Sequence, residues 1–216
     1  EKLAAMIADP TKYPVFTSNS EAAIVKVNGV APYDYAWGRR QDYVNFTAMG
    51  SFFVDMLNDL EDPRRALFMT KASRIVNDKT ESIGYKGFTA GHSGDITQFD
   101  FNPSTPNGDL MYPSAVGTFI NEIIMSYAEV EFIKAEVALK TGDLTAAKVA
   151  YEKGVTAAVT QWPNGVMPAN YFVNQKAAFN GTFEQIMNQK YLALFFCDYQ
   201  QWFEYRRTGL PVLPTE

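Results

Sequence analysis

The chain is poor in the residues on which most enzyme chemistry depends. One cysteine, Cys197, and one histidine, His92, serve all 216 residues. A single thiol closes no intramolecular disulfide, and inside the apolar run "YLALFFCDY" it reads as a small packed hydrophobe. A single imidazole excludes a multi-histidine metal site within the chain. Positive charge is also scarce: 19 lysines and arginines face 24 aspartates and glutamates, for a net charge of −5 and a pI near 5.0. Phosphate backbones are held by clustered cations, so no nucleic-acid partner is expected. No apolar run reaches the ~18 residues of a membrane span. No charged-then-apolar leader opens the chain, so a signal peptide is not expected either. The abrupt "EKLAAMIADP" suits a mature chain or an excised piece.

Reactive motifs are missing as well. There is no phosphate-cradling glycine loop, no dinucleotide fingerprint, no His-Glu-x-x-His and no Cys-x-x-Cys. "GHSGD" falls short of a Gly-x-Ser-x-Gly elbow, and its His92 and Ser93 are neighbours, a poor arrangement for base and nucleophile. Asp95, Asp100, Asn102, Asn107 and Asp109 carry oxygen ligands without EF-hand spacing and read as a solvated loop. No enzyme activity, metal or cofactor is expected. The two Asn-x-Thr triplets, at Asn45 and Asn180, are too short to carry weight.

What the chain does have is apolar mass. Hydrophobic residues make up 47% and aromatics 14%, enough for a sizeable core. No boundary is visible, so a single domain over residues 1–216 is expected. The densest helical signal, "NEIIMSYAEVEFIKAEVALKTGDLTAAKVAYEKGVTAAV", predicts a helical hairpin: a first helix from about Glu122 to Lys140, Gly142 as a left-handed stop, and Asp143 capping a second helix to about Val159. Ala147, Tyr151 and Gly154 repeat the small, aromatic, small spacing of tetratricopeptide helices, although one such unit is weak evidence for an array. Thr182 and Gln185 form a capping-box pair that predicts a third helix over Phe183 to Tyr205, apolar on nearly every side and therefore buried. A shorter helix fits residues 46–60 and stops before Asp62-Pro63. Residues 71–120 are rich in Gly, Ser, Thr, Asn, Asp and Pro and read as a long loop region with room for short strands, the place where a binding surface would sit. The segment "EAAIVKVNGVAPYDYAW" looks extended.

One charge pattern asks for an explanation. Met125, Glu129, Phe132, Glu136 and Leu139 recur at steps of four and three, so two glutamates share an apolar stripe. Carboxylates on such a face need donors to replace lost water. Arg206 and Arg207 follow the third helix directly, and a guanidinium fork suits a part-buried carboxylate. The expectation is that Glu129 or Glu136 pairs with Arg206 or Arg207, with Lys190 as a second candidate cation. This is a structural role.

These segments together resemble the C-terminal half of the SusD/RagB-like family of surface glycan-binding lipoproteins. The resemblance rests on Tyr127 to Val130, Ala135-Glu136, Gln189-Lys190, Trp202 and the run Arg206 to Pro211, with "DPRRALF" at 62–68 as a further match. It implies an all-α fold of tetratricopeptide-like helical pairs with long irregular loops. It also implies capture of oligosaccharide at the outer membrane, surface-exposed, and delivery to a SusC-like TonB-dependent transporter without chemistry. Family members are roughly twice this length and carry a lipid-anchor cysteine that this chain lacks, so the chain is expected to be the C-terminal portion of a longer protein.

Sugars offer flat C–H faces between hydroxyls, so aromatic plates with polar neighbours are the candidates. Tyr33, Tyr35 and Trp37 alternate and fall on one side of an extended segment, with Asp34, Arg39, Arg40 and Asp42 beside them. Tyr85 and His92 in the long loop, and Trp162 beside an exposed Pro-Asn-Gly turn, complete the carbohydrate-binding set. Trp202, on the third helix, is expected in the core. A helical module that binds a protein or peptide is the competing reading.

Overall fold

The structure, a computed structural model, describes residues 1–26, 48–91, 99–108 and 121–214. Among them are the helices α1 (Lys2–Ala8), α2 (Ser51–Asp59), α3 (Arg64–Phe68), α4 (Tyr127–Lys140), α5 (Leu144–Thr160), α6 (Phe183–Ala193) and α7 (Gln200–Thr208). The strands are β1 (Ala23–Val25), β2 (Ser73–Val76), β3 (Lys79–Ser82) and β4 (Glu122–Met125). The described chain is thus helix-rich with few strands. It groups into two compact units, one of residues 1–26 and 121–213 and one of 27–120 and 214–216.

The first unit is built on the α4–α5 hairpin. Its first helix starts later than the sequence predicts. Residues Glu122 to Met125 pair antiparallel with β1, Ile24 opposite Ile123 and Val25 opposite Glu122. Ser126 then caps α4, its Oγ accepting from Glu129 N at 3.0 Å. The cap decides the boundary, because a residue with extended φ/ψ at position 126 cannot continue a helix from 122. Gly142 takes φ +86° and Asp143 caps α5, accepting from Ala146 N at 2.9 Å. Between the two helices the Phe132 ring lies against Gly154, where an added Cβ would sit 3.1 Å from the ring, and meets Tyr151 edge-on at 6.3 Å. Tyr151 is fully buried and donates its hydroxyl proton to Ala177 O at 2.8 Å, so the phenol is satisfied inside the core.

The capping box at Thr182 forms by half. Thr182 Oγ1 accepts from Gln185 N at 3.2 Å. The Gln185 amide reaches past the cap instead, accepting from Asn180 N at 2.7 Å and donating to Ala178 O at 2.7 Å. The predicted single helix to Tyr205 is also corrected. It stops at Ala193, passes through left-handed Phe196 (φ 62°) and Asp198 (φ 49°), and restarts as α7. Neither residue favours that conformation as glycine does, so surrounding contacts must hold it. Phe195 and Phe196 pack edge-on at 4.6 Å there, and Leu194 and Cys197 are buried. Gln201 Nε2 ties α7 back to Tyr191 O at 2.8 Å. Gly209 at φ 72° ends α7.

The second unit packs α2 and α3 through Phe53 and Phe68, whose rings stack at 6.3 Å. Here the fourth sequence-predicted helix is confined to Ser51–Asp59. Within the 71–120 loop region, β2 and β3 form a hairpin in register Val76 to Lys79. Its two turn residues, Asn77 (φ 49°) and Asp78 (φ 59°), are both left-handed, as the tight turns that match strand twist require.

Candidate functional site

Of the four residues expected to pair, the structure brings two together. Arg207 on α7 grips Glu136 on α4 in a fork: Nη1 donates to Oε1 at 2.8 Å and Nη2 to Oε2 at 2.7 Å. Lys140, one turn on from Glu136, donates to its Oε1 at 2.5 Å. Arg207 Nη2 also donates to Glu204 Oε2 at 2.8 Å, and the buried Lys190 ammonium lies 3.2 Å from the same oxygen. The result is a chain of alternating charge, Lys140, Glu136, Arg207, Glu204, Lys190, that ties α4, α6 and α7. The sequence spacing makes it possible: Glu136, one stripe position from Phe132, is 7% exposed. The α6–α7 break turns the chain so that Arg207 reaches it.

Electrostatics follow from this geometry. Burial opposes ionisation of Glu136, but hydrogen bonds from Arg207 and Lys140 outweigh it and bring the carboxyl from 4.5 down to about 2. Glu204 is opposed by burial in the same way and also ends below its ordinary value, held by Arg207 and Lys190. The bonds to Glu136 and Glu204 push Arg207 higher still. Glu129 behaves oppositely. Burial raises its pKa, Glu204 adds to the rise, and Lys190 opposes it without cancelling it. Arg206 meets neither glutamate; its guanidinium stands 6.0 Å from the Trp202 ring centroid. Beside the charged chain lies a cavity of about 550 Å³ lined by Glu129, Ile133, Glu136, Lys190, Glu204 and Arg207, among others.

The second unit holds a tighter pair within its Asp-Pro-Arg segment. Arg64 Nε donates to Asp62 Oδ1 at 2.8 Å and Nη2 to Oδ2 at 2.7 Å, both side chains fully buried. Arg65 donates through Nε to Asp62 O at 3.0 Å, and its guanidinium stands 5.5 Å from the Tyr85 ring centroid. Asn58 Nδ2 donates to Tyr85 O at 2.9 Å. Tyr85 is therefore half-buried, its backbone carbonyl held by Asn58 and its ring beside the Arg65 guanidinium.

The other carbohydrate candidates fare differently. Tyr33, Tyr35, Trp37, Arg39 and His92 lie outside the described residues. Trp162 needs correction: the Pro-Asn-Gly turn is present, with Asn164 at φ 61°, but the indole is only 5% exposed. Gly165 N donates to Trp162 O at 2.9 Å, and the turn folds back on the end of α5 so closely that a Cβ on Gly165 would fall 2.0 Å from Val159 O. Trp202 is corrected in the other direction. Expected in the core, it is 51% exposed, with Phe203 at 55% on the same short helix and Tyr199, at its N-cap, at 66%. Its ring stacks on Tyr205 at 5.8 Å and 24°. Among the described residues no group of three or more acidic, histidine or cysteine side chains is arranged to hold a metal ion. None of the described helices is long and apolar enough to cross a membrane.

A family profile described as "Starch-binding associating with outer membrane" matches residues 1–216. The chain belongs to this SusD-like family. Solved structures agree on the fold. A chitin-binding protein superposes with TM-score 0.72 at 21% identity, over 94% of this chain and 46% of its own. An outer membrane protein of Bacteroides vulgatus ATCC 8482, linked to nutrient binding, superposes with TM-score 0.72 at 18% identity, over 98% and 54%. A SusD homologue of Bacteroides fragilis NCTC 9343 gives TM-score 0.70 at 21% identity, over 97% and 50%. The chain thus spans about half the length of these structures. No curated protein matches it.

Proposed function

We propose that this chain is the C-terminal part of a non-catalytic protein that captures oligosaccharides at the bacterial outer membrane, on the cell surface, and passes them to a SusC-like TonB-dependent transporter. The observation that carries the reading is the starch-binding family match along residues 1–216. A lipid anchor carried by the longer protein would supply the membrane attachment. The α4–α5 hairpin, with Gly154 seated on the Phe132 ring, supports tetratricopeptide-like pairing as the scaffold.

The charge chemistry supports holding over hydrolysis. A glycosidase positions two carboxylates across a cleft, one protonated to serve as the acid. Here burial raises Glu129, but its cavity neighbours Glu136 and Glu204 are both held low by cations and committed to the clamp, so neither is free to act as its second carboxylate. The test is calorimetric titration against a panel of α-glucan and chitin oligosaccharides, with reducing ends assayed in parallel. The expected result is binding without new reducing ends. Refusal of the whole panel, or the appearance of new reducing ends, overturns the reading.

A second reading, a protein or peptide interaction module, is favoured by one observation. Trp202 and Phe203 on α7 and Tyr199 at its N-cap are each more than half exposed.

A further inference from the structure

The outward stripe of α5 carries a groove that none of the features above uses. Val149, Lys153, Thr156 and Thr160 recur at steps of four, three and four, opposite the buried stripe of Ala147, Tyr151, Gly154 and Ala158. They line a cleft of about 580 Å³ whose other walls are Thr17 to Asn19, Tyr127 and Phe172. Val149 and Lys153 also line a neighbouring cleft of about 660 Å³ that extends to Ala4, Ile7 and Ala8 of α1. The two clefts adjoin at Val149 and Lys153, and each falls within the roughly 300–1,000 Å³ typical of ligand sites.

Its chemistry alternates. Tyr127, Phe172 and the 48%-exposed Val149 supply apolar surface. The Thr156 and Thr160 hydroxyls donate to Glu152 O and Thr156 O at 2.7 and 2.8 Å, which leaves the Thr156 oxygen able to accept, while Thr160 keeps one lone pair beyond its bond from Asn19. Glu152 meets Lys148 only at 3.8 Å, so its carboxylate retains acceptor capacity. Lys153 is exposed and has no ion-pair partner among the described residues, so it offers donors. The far wall is fixed in place, because Asn19 Nδ2 donates to Ala157 O at 3.1 Å and to Thr160 Oγ1 at 3.2 Å. The α5 backbone is consumed by its own helix, so an extended peptide finds no main-chain partners along it. Apolar plates interleaved with separate donors and acceptors, one acid against one cation, match a neutral polyol with C–H faces.

We propose that this groove is an oligosaccharide subsite for neutral glycan. It rests on the glycan-capture reading. The test titrates the 216-residue chain and its Glu152→Gln, Lys153→Ala and Phe172→Ala variants with maltoheptaose and with chitohexaose. Melting curves accompany each variant, and Trp202→Ala serves as a control outside the groove. Glu152 and Lys153 stand at the surface, so those two variants keep the test valid if Phe172→Ala unfolds. Each groove variant is expected to lose about tenfold or more in affinity, as expected when a hydrogen bond or ring contact is removed, with the control unchanged. Undiminished binding by Glu152→Gln and Lys153→Ala overturns the groove and leaves the capture reading intact. Refusal of both glycans by the unaltered chain overturns the groove, and refusal of the wider panel overturns the capture reading with it.

Discussion

Glu136 and Arg207 stand 71 positions apart and meet through two hydrogen bonds of 2.8 and 2.7 Å. The carboxylate is buried while the guanidinium side chain is 43% exposed, so the two halves of the pair are not equivalent. Arg207→Ala strands a buried anion with Lys140 alone; Glu136→Ala leaves a cation that water and Glu204 still serve. Loss of a partner to a fully buried charge costs about 3–5 kcal/mol, and the exposure here lowers that. Arg207→Ala is expected to cost about 2–3 kcal/mol and Glu136→Ala about 1–2 kcal/mol in urea unfolding. Equal and negligible losses would sink the clamp.

The acids of the clamp and its neighbour should respond to pH with opposite signs. Glu136 has a depressed folded value, so its contribution is present above 4.5 and is lost as pH falls toward about 2. Glu129 has a raised folded value, so its ionised form costs stability that appears as pH rises above 4.5. Glu129→Gln is therefore expected to raise the melting temperature at neutral pH, with the gain vanishing in acid. Glu136→Gln should lower it at neutral pH, with the loss vanishing toward about pH 2. Melting curves across that range check both; the same sign for both variants at neutral pH contradicts the assignment.

Part of this arrangement is legible in the sequence, and the rest is hidden for identifiable physical reasons. The hairpin turn and the Asp143 cap are readable because helical spacing, Gly142 and Asp143 are local signals; the start of α4 is not, since Glu122 to Met125 pair with β1, and the apolar stripe narrows the clamp only to Glu129 or Glu136 with Arg206 or Arg207. The break between α6 and α7 is not readable either. Phe196 and Asp198 adopt left-handed backbone without the glycine that advertises it, and a continuous apolar pattern runs across both. Misplacing that break put Trp202 in the core. The alternating Tyr33, Tyr35 and Trp37 remain an expectation, since they lie outside the described residues.

Trp162 illustrates the remaining gap, because its turn is local but its burial depends on how closely Gly165 approaches α5. Gly165→Ala forces a methyl to 2.0 Å from Val159 O, a backbone atom that cannot step aside. It is expected to cost about 3 kcal/mol, at the upper end of overpacking. It should also raise acrylamide quenching of indole fluorescence by releasing Trp162. Trp202→Ala, at an exposed site, should cost under about 1 kcal/mol. A Gly165→Ala variant with unchanged melting and quenching would show that the turn does not bury the ring.

Cys197 offers a chemical readout of the same packing. Its thiol is 2% exposed and is pushed up to about 12, first by burial and then by the nearby charge of Glu129. Thiolate is the reactive form, so at mildly alkaline pH alkylation should run at least about three orders of magnitude slower than for a free thiol. Denaturant should restore full labelling. Glu129→Gln removes only the lesser cause and should leave the folded thiol unreactive. Arg207→Ala loosens α7 from α4, so a rise in labelling for that variant alone would register the clamp opening around the α6–α7 break. Rapid labelling of the unaltered folded chain by iodoacetamide would mean that the Leu194 to Cys197 segment does not pack inward, and the path that carries Arg207 to Glu136 would fall with it.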